Sequence, residues 1–451
     1  MESKEKNIFA KSTMFKLSLG GKELFHSNFL AWLTEKNWDS ALNLLKDMAG
    51  EKFSSCEGLE EKGWRERKSF DFSIWSKKGN KSVPLVVVEN KVKSIAYRNQ
   101  LDRYAKDVEN MYGKTWEESK DNVRMILLSL AKVMPDVPVE NNIYKSPNGL
   151  TWHIVDYGTY SNIIRKYFLE EDAVNNEYDK DIIKDYCNYI SALNTLAKQW
   201  LDQPHLKADE EMEELRFDDI RQKIIYSYLL NKLNEKLNNG WCVLPISSDD
   251  FKHLVYDKPE GNSKWDNKSS VIDILNDLHD LHGDNDKKPL IMMNLDYGRA
   301  GALVQMKFKL KDLKNDLICV IQVQNQSYSI GVEFGKETID DIQKKSGEYN
   351  FVPKGLYPTT RGDVKFIKGD GGLEFAVDNK KDTPLHYKPS FFYAKAKFDS
   401  NAGIDNVVSQ LISDLNRYKD KSGNNNIVPL KAYLEKWDVN NYDIKGKELK
   451  K

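Results

Sequence analysis

Cysteine is scarce: the 451-residue chain has four, at Cys56, Cys187, Cys242 and Cys319, and no CxxC pair among them. That excludes a zinc ribbon or a disulfide framework and fits a reducing compartment, so a cytoplasmic location is expected. Long apolar runs are also missing. No segment approaches the ~20 apolar residues of a membrane span, and the opening MESKEKNIFAKSTMF lacks the apolar stretch of a secretory signal. Nor does one charge dominate, since 68 Lys and Arg against 69 Asp and Glu leave a formal net charge of −1. Coating of a polyanion by overall charge is therefore excluded, and any nucleic-acid contact must come from local patches. Neither G-x-x-x-x-G-K-[ST] nor G-x-S-x-G occurs, which removes the phosphate loop and the nucleophile elbow. KGDGG (368–372) reads as a turn. His279 and His282 sit in a polar stretch (257–288) without a closed metal-ligand set.

What is present is organised in two parts. KELFHSNFLAWLTE (22–35) carries a broad apolar stripe near the helical period. SALNLLKDMAG (40–50) is a second helix, with Ser40 able to cap it and Gly50 to end it. Residues 64–75 read as extended, 84–91 as a strand, 95–112 as a helix stopped by Gly113, and 123–131 and 150–157 as buried strands. Helices over 159–171 and 181–201 follow. This order predicts an α/β (α+β) domain, a mixed sheet flanked by helices, over residues 1–204. The acidic, proline-bearing stretch 202–216 marks the boundary. Residues 205–451 predict a second α+β domain. It opens with an amphipathic helix (217–237), continues with a largely antiparallel sheet (241–247, 289–298, 302–310, 317–334, 364–368, 391–398) and closes with a helix (406–420).

The chemistry concentrates in FDFSIW (70–75) and PLVVVENK (84–91), separated by SKKGNKS. Both runs are β-branched and aromatic, and Gly79-Asn80 is a strong turn signal, so they predict a hairpin. A turn centred on Asn80 sets Asp71 opposite Glu89. Side chains alternate along a strand, so Glu89 and Lys91 share a face. Two carboxylates and an ammonium then converge, while Phe70, Phe72, Ile74, Val86 and Val88 point into a core. Other acid-x-Lys triplets exist, at Glu60, Asp266, Asp363 and Glu448. Only Glu89-Asn90-Lys91 follows a buried strand, faces an aspartate and precedes an amphipathic helix. An all-oxygen site of this kind selects Mg2+ or Mn2+. Basic residues, Lys93 and Arg98 among them, crowd the same segment and suit a nucleic-acid partner. Glu66 lies so close to Asp71 in sequence that a separate strand pair is not expected, and it receives no role.

Asp71, Glu89-Asn90-Lys91 and the helix with Gln100 and Tyr104 together resemble the PD-(D/E)xK nuclease superfamily. The opening helix with Glu23, His26, Ser27 and Asn28, and TWHIVDYGTYSNII (151–164), resemble a bacterial branch of it. The resemblance covers roughly residues 15–200. Phe70 stands where the family pattern has a proline. The resemblance implies a restriction-endonuclease-like fold and metal-dependent hydrolysis of phosphodiester bonds in DNA or RNA. The ion would be held by Asp71, Glu89, the Asn90 carbonyl and Glu23, and a role in bacterial defence is plausible. Lys91 would position the attacking water, Gln100 would touch the site or a phosphate, and His26 would bind phosphate or buttress the centre. Two other readings stay open: a catalytically inactive nucleic-acid-binding protein that keeps the fold, and a regulatory protein centred on residues 205–451. Homo-oligomerisation is also compatible with the sequence.

Overall fold

The run VPLVVVENK (83–91) is buried along its whole length, with Val86, Val87 and Val88 fully shielded. A strand apolar on both faces belongs inside a sheet covered on both sides, and the computed structural model places it there. The structure describes residues 3–18, 23–50, 58–92, 96–130, 137–206 and 217–237 of the first part. Of the second it describes 242–246, 290–298, 301–308, 317–324, 327–334, 385–387, 391–398 and 403–419, and a few single positions lie between these spans. Two compact units result, Met1–Gln203 with Ala208–Tyr228 and Pro204–Lys207 with Leu229–Lys451. Among the described residues no helix is long and apolar enough to cross a membrane.

The first unit opens with α1 (Ser3–Lys11), α2 (Thr13–Ser18), α3 (Glu23–Lys36) and α4 (Trp38–Ala49). Then come β1 (Leu59–Arg67), β2 (Phe70–Lys78), β3 (Lys81–Lys91), α5 (Arg98–Tyr112) and the short α6 (Trp116–Ser119). β4 (Arg124–Ser129), β5 (Ile143–Lys145), β6 (Thr151–Asp156), α7 (Tyr157–Ile164) and α8 (Glu177–Asp202) follow, and the helix Asp218–Leu237 belongs to this unit as far as Tyr228. The sheet order is β1-β2-β3-β4-β6-β5. β3, β4 and β6 run parallel, and the remaining pairs are antiparallel. The mixed sheet flanked by helices is thus the one expected.

Local details correct three expectations. The cap of α4 is Asn37, whose side chain accepts the Ser40 N–H at 2.9 Å; Ser40 is the capped residue and not the cap. Asp156 caps α7 through the Thr159 N–H at 2.7 Å, so that helix starts at Tyr157 and not two residues later. The extended stretch 64–75 is not one strand. It folds back at Lys68-Ser69, where both residues hold left-handed backbone (φ 58 and 66), and Arg67 pairs with Phe70. Close packing fixes this hairpin onto α3: a Cβ on Gly63 would lie 2.5 Å from the Phe72 ring and 2.7 Å from Thr34 Oγ1.

The β2–β3 hairpin turns at Gly79-Asn80, with Lys78 paired to Lys81. One extra residue, Leu85, then bulges between the pairs Trp75↔Pro84 and Ile74↔Val86. Pro84 has no N–H to give a ladder, so a bulge beside it is chemically cheap. Beyond the bulge the register is Ser73↔Val87 and Phe72↔Val88, which brings Asp71 level with Glu89.

The second unit holds a seven-stranded sheet. Its strands are β7 (Cys242–Ile246), β8 (Leu290–Gly298), β9 (Gly301–Phe308), β10 (Leu317–Gln324), β11 (Ser327–Phe334), β12 (Leu385–Tyr387) and β13 (Phe391–Lys397). The order is β12-β13-β11-β10-β9-β8-β7, and only β7 and β8 are parallel. A largely antiparallel α+β unit is therefore present, with a helix at Ile404–Lys419. The run 317–334, expected as one strand, is the hairpin β10–β11, with Gln324 opposite Ser327. The expected strand 364–368, the turn 368–372, the polar stretch 257–288 with His279 and His282, and Lys93 all lie outside the described residues.

Candidate metal centre

Three elements end at one place. β2 brings Asp71, β3 brings Glu89, Asn90 and Lys91, and α3 begins with Glu23. Alternation along β3 sends Glu89 and Lys91 to one face, where Lys91 Nζ lies 2.8 Å from Glu89 Oε1. Gln100, in the first turn of α5, donates from Nε2 to the same Oε1 at 2.9 Å. Its Nε2 is 3.4 Å from the Tyr104 hydroxyl, and the Tyr104 ring packs edge-on against Phe70 with centroids 5.5 Å apart. The Asn90 side chain takes the opposite face and donates to Ser27 Oγ of α3 at 2.6 Å. Main-chain groups grip the two remaining acids. The Asn90 N–H donates to Asp71 Oδ2 at 2.7 Å, and the Val92 N–H to Glu23 Oε1 at 3.2 Å.

Burial sets the electrostatics. Glu89 is 2 % exposed, and desolvation pushes its carboxyl up to about 8; Lys91 opposes the shift, while the charges of Asp71 and Glu23 add to it. Asp71 is raised by burial as well, against the Asn90 N–H and Lys91, with Glu23 and Glu66 adding repulsion. Burial would pull the Lys91 ammonium down, but Glu89, Glu23 and Asp71 outweigh it and hold the group above its ordinary value. A crowd of acids around one buried cation thus retains a proton at neutral pH.

The donor set fits a hard divalent cation. Glu89 Oε2 is buried and has no hydrogen-bond partner, an arrangement that costs free energy unless something positive meets it. Oxygen donors of Asp71 and Glu89 match Mg2+ or Mn2+. Among the described residues no group of three His, Cys, Asp or Glu side chains forms a closed cage. Main-chain oxygen or water would therefore have to complete the shell. Asn90 commits its Nδ2 to Ser27 while its Oδ1 is buried without a hydrogen-bond partner, and its main-chain carbonyl would be the oxygen offered to an ion.

The structure brings Asp71, Glu89, Lys91, Glu23 and Gln100 together and separates others from them. His26 is 1 % exposed, and its Nδ1 lies 3.0 Å from the Tyr186 hydroxyl of α8. Burial alone drives its pKa down to about 3. A neutral imidazole sealed among Tyr157, Tyr186 and Tyr189 cannot reach a phosphate, which corrects its expected nucleic-acid contact. Arg98 is half exposed at the start of α5, with Nε 3.6 Å from Asp102 Oδ2. The sequence pattern gives Glu66 no role. The tight turn at Lys68-Ser69 makes β1 a partner of β2, and the pairs Arg67↔Phe70 and Arg65↔Phe72 set Glu66 level with Asp71. Its charge is felt there. No glycine, asparagine or proline signalled that turn. The chain pattern of alternating charge after Trp64 was the available hint.

Residues 7–188 match the family model of the PD-(D/E)XK nuclease superfamily, so the domain that carries this centre is similar to that superfamily. No curated protein is similar enough to match the chain.

Proposed function

We propose that the chain is a divalent-metal-dependent nuclease that hydrolyses phosphodiester bonds, with DNA as the favoured substrate and RNA as the alternative. One observation carries the reading: the buried, partnerless Glu89 Oε2 beside Asp71, with Lys91 Nζ 2.8 Å from the other oxygen of Glu89. Asp71 and Glu89 would hold Mg2+ or Mn2+, with the Asn90 carbonyl and Glu23 as further oxygen donors. When bound, the cation would supply Lewis-acid polarisation of a phosphate oxygen and a water of lowered pKa.

The protein's own groups do the rest. The Lys91 ammonium, kept charged by its carboxylate neighbours, orients the attacking water and offsets negative charge that builds on the phosphorus-bound oxygens. Preorganisation of that charge is the main expected source of acceleration. Gln100 holds Glu89 in place from α5, and the Asn90 N–H holds Asp71 from β3. In-line displacement then leaves a 5′-phosphate and a 3′-hydroxyl. Arg98 and Lys93 are the proposed phosphate contacts. Residues 205–451 would select substrate, sense a signal or mediate oligomerisation, and the protein would act in the cytoplasm, in bacterial defence.

The test is a cleavage panel of linear, circular and single-stranded DNA and RNA, comparing wild type with Lys91→Ala in Mg2+, Mn2+ or EDTA. Metal-dependent cutting that the variant loses is expected. Salt-dependent binding without any cutting, unchanged in Asp71→Ala, would replace the nuclease by an inactive nucleic-acid-binding protein.

A further inference from the structure

Three consecutive residues of α3, His26, Ser27 and Asn28, each bond a different element. His26 Nδ1 meets the Tyr186 hydroxyl of α8 at 3.0 Å. Ser27 Oγ accepts from Asn90 Nδ2 of β3 at 2.6 Å. Asn28 Oδ1 accepts from Arg65 of β1 at 2.7 Å. Adjacent residues on a helix project about 100° apart, so these bonds hold the helix start from three sides. We infer that this tripeptide is a positioning element for Glu23, and that the Ser27–Asn90 bond is its decisive member.

The argument rests on which bonds are buried and where they lead. Asn28 and Arg65 meet in solvent, where such a contact contributes little. Ser27 and Asn90 are 0 % and 1 % exposed, so their bond cannot be replaced by water without loss. Ser27 Oγ also donates to the Glu23 carbonyl at 3.3 Å. Asn90 thus connects the two halves of the site. Its N–H holds Asp71, its side chain holds Ser27, and through Ser27 it holds the backbone of Glu23. The Glu23 carboxylate in turn reaches the Val92 N–H, just past Lys91. Two rungs, Ser27–Asn90 and Glu23–Val92, therefore clamp the first turn of α3 to the end of β3. Loss of the fully buried rung frees the helix start, and the part-buried Glu23–Val92 rung follows.

This inference depends on the proposed metal centre only for its consequence, so one readout is taken without metal. Hydrogen exchange of the Val92 amide is measured in metal-free wild type, Ser27→Ala and Glu23→Gln. Ser27→Ala is expected to speed exchange at Val92 by about tenfold or more, with the core amides of β4 still protected. Calorimetry then gives Mn2+ affinity, where Ser27→Ala should cost about 10- to 100-fold, the usual range for residues that orient ligands. In a Glu23→Gln background the same substitution should cost nothing further, because its effect runs through Glu23. Unchanged Val92 exchange in a folded Ser27→Ala protein would overturn the inference and leave the nuclease reading intact. Wild type that binds no Mn2+ and cuts nothing would sink the nuclease reading, while the Val92 result would still judge the clamp. Should Ser27→Ala fail to fold, Asn90→Ser, which keeps a short hydroxyl facing Ser27, takes its place, with the same outcomes deciding.

Discussion

The first sheet runs its central strands β3, β4 and β6 in parallel, whereas the second is antiparallel except for β7 and β8. Parallel strands end together. Lys91, Ser129 and Asp156 stand in one row at the carboxyl ends of their strands, where open sheets of this kind leave room for ligands. Antiparallel neighbours end at opposite edges and build no such row. Among the described residues of the second sheet one polar pair meets in mid-sheet, where Gln305 donates to Gln322 at 3.0 Å. In the first sheet Glu89 Oε2 is left without a partner at the strand end. The asymmetry is one of position: in the first sheet an unpartnered oxygen lies where the end of β3 meets the start of its antiparallel partner β2, which carries Asp71.

The largest expected effect tests that asymmetry directly. Asp71→Ala should lower cleavage by roughly 10³-fold or more, as loss of a preorganised charged group in a buried site does. Replacing both members of the second sheet's pair, Gln305→Val with Gln322→Val, should leave cleavage unchanged. Exchanging two mutually bonded polar groups for apolar ones is nearly neutral for stability. Cleavage rates of the two proteins side by side decide the matter. Loss of cutting in the glutamine variant would mean that the second sheet takes part in the reaction.

The next effect is a pH dependence that only the first sheet should show. Glu89 titrates near 8 in the folded protein against the usual 4.5. Between those values the folded, metal-free protein holds a proton that the unfolded chain has released. The stabilisation is fully present below pH 4.5 and is lost as pH rises through about 8. Burial raises Asp71 too, which adds to the same trend. A cation competes with this proton, so Mn2+ affinity should climb across the window, with proton release on binding. Thermal melts of wild type and Glu89→Gln over the same range check the first statement. Calorimetry in buffers of different ionisation enthalpy checks the second. A wild-type melting profile as flat as that of Glu89→Gln would refute the assignment.

Much of this centre could be read in the sequence, though partly through compensation. A turn centred on Asn80 sets Asp71 opposite Glu89. The real turn is shared by Gly79 and Asn80, which shifts the pairing by one residue near the loop. The bulge at Leu85 shifts it back before Phe72↔Val88. Neither step shows in the hydrophobic pattern, because β3 is apolar on both faces and so carries no period to lock its register. The hairpin at Lys68-Ser69 was illegible for another reason. Its turn uses two residues that tolerate left-handed backbone poorly, so the usual punctuation is missing. Glu66 was hidden with it. For His26 the sequence leaves a phosphate contact and a buttressing place both open, because a histidine beside a charged helix start looks available, and only the packing of α7 and α8 shows it sealed.

A packing test comes third in size. Gly63 of β1 lies where a methyl would strike the Phe72 ring and Thr34. Gly63→Ala should destabilise the first unit by about 1–3 kcal/mol, the usual cost of overpacking a close contact. Asp71 is gripped from β3 and not from β1, so Mn2+ affinity of the folded fraction should hold. Urea titration gives the first quantity and calorimetry the second. A drop in affinity without loss of stability would show that β1 shapes the centre directly, and Glu66 would then be the residue to examine.

The smallest effect concerns the turn beside Asp71. Ser69 holds φ 66 and Lys68 holds φ 58, the type I′ geometry that suits the twist of a two-residue hairpin and favours glycine. Left-handed backbone costs an L residue roughly 1–2 kcal/mol. Glycine at position 69 removes that strain but adds about 0.5–1 kcal/mol of chain entropy to be lost on folding. Ser69→Gly should therefore raise stability by about 0.5–1 kcal/mol, read from urea midpoints at constant slope. Lys68 is kept, so any charge it offers to a phosphate is untouched. If the first sheet places Asp71 through the Asn90 N–H alone, cutting stays at the wild-type rate. A slower rate in this more stable protein would mean that the strained turn itself sets the position of Asp71 or Glu66, and that the site begins one strand earlier than β2.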